Sequence, residues 1–92
     1  MLPSRVRLKS KVSYEIVYQD LIKDDPNCLG LCDPNNRHIY IKNGLSKNLE
    51  IQCFIHEWLH SAENEFKIKL SHESIYKLEE AIFKFLTLNK YI

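Results

Sequence analysis

Residues 56–60 read His-Glu-Trp-Leu-His, inside an apolar repeat of helical spacing from about Leu49 to Phe66. On a helix, residues four apart lie on one face, so His56 and His60 can offer two imidazoles to a single ion. Glu57 points about 100° away from His56, close enough to reach a water on that ion. Two imidazoles, an adjacent carboxylate and an open coordination position are what zinc needs to form hydroxide at neutral pH. On a helical wheel Ile51, Phe54, Ile55, Trp58, Leu59, Ala62 and Phe66 form the apolar stripe. His56, Glu57 and His60 fall on the other side with Glu63 and Asn64, which predicts a helix packed at its back with its histidines facing a cleft. Ser46 or Asn48 caps its start.

A catalytic zinc normally takes three protein ligands, and the downstream candidates are Glu63, His72, Glu79 and Glu80. Glu63 follows His56 by seven residues, roughly 10 Å along the axis, which makes it an orienting or surface carboxylate. The other three lie on a second helix, from about Ser71 to Asn89, with Ser71 as its N-cap. The reversal between Phe66 and Leu70 makes an αα-hairpin, and pairing about position 68 sets His60 level with Tyr76 and His56 with Glu80. Ile75, Leu78, Ile82, Phe85 and Leu86 form the apolar stripe of this helix. Glu79 falls within the stripe, where a carboxylate is costly unless a cation compensates it. Glu80 falls at its edge with an i,i+4 partner in Lys84. Glu79 is therefore the expected third ligand and Glu80 the reserve.

The pattern resembles the gluzincin branch of the zincin metallopeptidases, in which HExxH is followed by a glutamate on the next helix. The spacing of thermolysin-like members lands on Glu80-Ala81-Ile82. A resemblance covering more of the chain is to small phage-encoded HExxH proteins, through Gly30-Leu31-Cys32-Asp33, Ile39-Tyr40-Ile41, HEWLH and Leu78-Glu79. It implies Glu79 as the ligand, one zinc ion per chain and a minimal metallopeptidase. The gluzincin aspartate four residues after the ligand is absent, its place taken by Phe83 or Lys84.

The 92 residues make a single domain with a modest core. A formal net charge of +1 gives no argument for nucleic acid. Arg5, Arg7, Lys9 and Lys11 alternate with Val6, Leu8 and Val12, as on the solvated face of a strand or arm. No apolar run approaches a membrane span and no signal peptide is visible, so neither membrane nor secretion is expected. Three cysteines, Cys28, Cys32 and Cys53, argue against a disulfide framework and for a cytoplasmic setting, that of the host if a phage encodes the chain. Cys28, Cys32 and His38 offer too few ligands for a second zinc site, so the thiols are read as packing groups, with Cys53 lining the cleft or core.

Val12 to Tyr18 reads as a strand. Leu29 to Cys32 and His38 to Lys42 flank the turn residues Asp33-Pro34-Asn35-Asn36 and make a β-hairpin. The expected fold is α+β: a small antiparallel sheet of about three strands, followed by the αα-hairpin that carries HEWLH. Ile39, Tyr40 and Ile41, on the strand that enters the helix, are the candidate edge for pairing with an extended substrate. Tyr76 or His72 is the candidate donor to a developing oxyanion, while His38 is read as an ordinary strand residue. The expected function is zinc-dependent peptide hydrolysis with Glu57 as general base. A non-catalytic zinc-binding module that engages a partner protein through the same cleft is the alternative.

Overall fold

The computed structural model describes residues 2–92. Four strands, β1 (Arg5–Lys9), β2 (Val12–Gln19), β3 (Gly30–Asp33) and β4 (His38–Lys42), precede two helices, α1 (Lys47–Phe66) and α2 (His72–Leu88). The fold class is α+β, as expected, but the sheet is larger and differently wired. It has four strands in the order β1-β2-β4-β3. β1–β2 and β3–β4 are antiparallel pairs, whereas β2 and β4 run parallel, so the sheet is mixed.

The reason lies in which strands carry inward apolar residues. On β2, Val12, Tyr14 and Ile16 alternate inward and are buried, and on β4 Ile39 and Ile41 are fully buried. Two strands with such rows gain most by lying side by side, and Ile16 pairs with Ile39. The chain therefore passes beyond the centre to lay down β3, with Gly30 and Cys32, at the edge. It then returns through residues 34–37 so that β4 fills the middle. Asp33 accepts from the Asn36 backbone and side chain in that turn (3.4 and 2.8 Å), and Arg37 closes it with φ 53°. The basic N-terminal stretch is β1, an edge strand with its charged residues exposed.

The helices are capped as their sequences require. The Ser46 hydroxyl accepts from the Leu49 N–H, and the Ser71 hydroxyl from that of Ser74. Lys67 ends α1 in the left-handed conformation (φ 55°, ψ 47°). One helix face packs on the sheet: Cys53 and Phe54 meet the cluster of Val12, Tyr14, Ile16, Ile39 and Ile41. Another meets α2, where Ile55 and Leu59 join Ile75. α1 is thus the middle layer, in contact with β3, β4 and α2. Its far end is tied to the sheet by the Tyr14 hydroxyl, which donates to Glu65 (2.8 Å), and by the Arg37–Glu65 ion pair (3.3 Å).

Candidate functional site

α1 brings the HEWLH residues to the seam between β3 and α2. His56 and His60 are one turn apart, their ring centroids separated by 5.0 Å. Glu79 arrives from α2, and its Oε1 lies 2.8 Å from His56 Nδ1, with both side chains about one-fifth exposed. Glu80, one residue on, points to water and pairs with Lys84 at 2.8 Å. The helices thus bring Glu79, and not Glu80, to the histidine pair.

Glu63 holds the other histidine. Its Oε1 lies 3.0 Å from His60 Nδ1, and its Oε2 accepts from the Leu70 N–H at 2.9 Å. One carboxylate thereby connects an imidazole to the segment joining the helices. Each ring has its Nδ1 against a carboxylate, and neither Nε2 makes a hydrogen bond among the described residues. Among those residues no three His, Cys, Asp or Glu side chains converge closely enough to enclose an ion as they stand.

Glu57 departs from the sequence reading. The wheel sets it on an open polar face, yet it is 9% exposed. The physical reason is the central position of α1: the side turned away from α2 faces the sheet. Gly30 makes the space, since a Cβ there would lie 3.1 Å from both Cγ and Oε2 of Glu57. The Cys32 backbone lies near the carboxylate and favours its charged form. Burial raises the pKa of this group above the usual carboxylate range, and the adjacent His56 and His60 oppose that rise. Gly30 and Cys32 were not among the expected site residues, whereas Glu63 takes the orienting place that its spacing from His56 suggested. The signal for the first was available, because glycine within a strand marks close approach of a neighbour.

The site opens on both sides of Glu57. One hollow of about 280 Å³ is bounded by Leu29, Gly30, Cys53, His56, Tyr76 and Glu79. A second, of about 350 Å³, is bounded by Leu31, Cys32, Pro34 and His60. Cys53 serves cleft and core together, and burial pushes its thiol up to about 11 and that of Cys32 up to about 12. Both stay protonated at neutral pH, as packing groups do. Cys28 is also free, and its thiol donates to the Gly30 carbonyl (3.2 Å).

Three expected placements need correction. Tyr76 meets His56 rather than His60, with centroids 5.1 Å apart, because it lies three residues before Glu79 on the face of α2 that is turned to His56. His72 opens α2 in an exposed position and borders neither hollow. Ile39, Tyr40 and Ile41 do not form a free edge: β4 is paired on both sides, with β2 and β3. The edge beside α1 is β3. His38 is a strand residue of β4 whose Nε2 lies 3.5 Å from Glu15.

Comparison with protein-family models, curated proteins and solved structures found no match. Among the described residues no helix is long and apolar enough to cross a membrane.

Proposed function

We propose that the chain is a small zinc-dependent peptidase: a minimal zincin in which a helical hairpin lies on a short sheet and Glu57 is the general base. The observation that carries this reading is the 2.8 Å approach of Glu79 to His56, across 23 positions of sequence, at the first histidine of an HExxH pair. His56, His60 and Glu79 would hold the metal. Two imidazoles and a carboxylate form a donor set that catalytic zinc accepts. A carboxylate against one ring nitrogen, with the other ring nitrogen left over, is how metal-bound histidines are usually oriented. In this reading Glu63 keeps that duty toward His60, while Glu79 exchanges its hydrogen bond for the ion.

When bound, zinc supplies an activated water and polarises the scissile carbonyl. Glu57 takes the water proton and delivers it to the leaving amine. Its packing against Gly30 and Cys32 fixes its direction and keeps bulk water from one side of it. The free side of β3 offers backbone groups to an extended peptide. Of the two donors considered for the oxyanion, Tyr76 is retained because it stands against His56.

Elemental analysis and chelator titration should find about one zinc per chain, and added zinc should raise the unfolding temperature, since a ligand held only by the native state stabilises it. Glu57→Gln should keep the zinc and lose hydrolysis about 10²-fold or more. A chain that neither takes up zinc nor gains stability from it would end the metal reading. Zinc uptake with no cleavage in a broad peptide library would leave the non-catalytic interaction module.

A further inference from the structure

The hollows beside Glu57 do not stop at the HEWLH helix. Pro34, which bounds the hollow at His60, also bounds the next concavity, formed with Lys9, Asn36, Arg37, Asn64 and Lys67. Asn36 and Arg37 in turn bound a third, with Arg5, Arg7, Lys11 and Ser13. These concavities follow one another around the end of the sheet, from the candidate cleft past the 34–37 turn and onto the face of β1 and β2 turned away from α1.

This extension has a charge character that the whole chain hides. Arg5, Arg7, Lys9, Lys11, Arg37 and Lys67 border it against only two glutamates, Glu15 and Glu65. Six of the 13 basic residues and two of the 12 acidic ones are gathered here, which leaves the rest of the molecule net negative despite a total of +1. The two glutamates are already engaged, Glu15 by Arg5 and Glu65 by Arg37 and Tyr14. Among the described residues Arg7, Lys11 and Lys67 form no ion pair. The opposite end of the cleft, at Leu29, Leu49, Gln52 and Cys53, carries no cation.

Resting on the peptidase reading, we propose that the substrate is a polypeptide with an acidic segment to one side of its scissile bond, and that the basic concavities around Arg7, Arg37 and Lys67 receive that segment. Continuity with β3 selects this occupant. A chain extended along Gly30–Asp33 is led toward residues 34–37 and so into the cations. A carboxylate-rich stretch complements them through rim-type electrostatics that act on encounter and placement. A nucleic acid fits these concavities less well, since among the described residues that border them only one ring, that of His38, could stack on a base.

The test uses the full chain and three fluorescein-labelled peptides with one uncharged core. One carries four glutamates on the amino side, one carries four on the carboxyl side, and one carries four glutamines. Anisotropy reads binding without turnover. One glutamate peptide should bind about tenfold more tightly than the glutamine peptide, the other should gain much less, and the difference should fade in 1 M salt. The double variant Arg7→Glu/Lys67→Glu should abolish the preference with little change in unfolding temperature. Lys77→Glu/Lys84→Glu on α2, with the same change in net charge, should leave it intact. Equal gain from both placements, equal loss in both double variants, or tighter binding of a 20-base-pair duplex DNA than of either peptide would overturn the proposal. If the preference holds but no peptide is cleaved, the acidic-segment site stands and the peptidase reading falls.

Discussion

Glu79 and Glu80 are neighbours in sequence with opposite surroundings. Glu79 is turned into the seam against His56, and Glu80 lies in water beside Lys84, which holds its carboxyl below the usual range. Glu79→Ala should weaken zinc binding by about 10-fold or more, the range for lost ligands and their orienting partners, while Glu80→Ala should leave it unchanged. Zinc titration of the two variants checks this, and the reverse order would assign the ligand to Glu80. The distinction between them was legible because a carboxylate inside an apolar stripe needs a reason to be there. The burial of Glu57 was not legible, since a wheel allots one buried face to a helix and α1 has two. Only the partner strand reveals the second face, and its trace in the sequence is a single glycine, Gly30.

At the scale of elements, the two helices and the β3–β4 hairpin could be read from periodicity, caps and turn residues, because those signals are local. The wiring of the sheet could not. The inward apolar rows explain why β2 and β4 lie side by side, but their parallel direction depends on where the intervening hairpin docks. Another non-local tie, Tyr14 and Arg37 to Glu65, gives a pH dependence. The Tyr14 hydrogen bond first, and then Arg37, hold the Glu65 carboxyl below the usual range. The unfolded chain then binds the proton more readily, so this contribution to stability is complete above the ordinary glutamate pKa of about 4.3. It is lost as pH falls through the lower folded value. Glu65→Gln should cost about 1 kcal/mol at neutral pH and should show a shallower loss of stability on acidification than the parent. Urea unfolding at a series of pH values measures both, and parallel profiles for the two proteins would remove Glu65 from the account.

For the molecule as a whole, the parallel pair orders the events of folding. β3 and β4 are joined by four residues and can pair early, whereas β2 meets β4 across 23 positions, Glu15 to His38. Asp33→Ala removes the turn contacts to Asn36. It should slow refolding severalfold while leaving the unfolding rate nearly unchanged, as for a contact already formed at the barrier. A stopped-flow chevron in which only the unfolding limb moves would place the turn after the barrier. This order bears on when the chain becomes competent. The histidine pair needs only α1, but the wall behind Glu57 is made by Gly30 and Cys32 on the hairpin. A chain released before the hairpin docks therefore carries the histidine pair while Glu57 is still in bulk water. Docking supplies that wall, so under the proposed peptidase reading competence would arrive late and give a half-folded chain a period of latency among its neighbours.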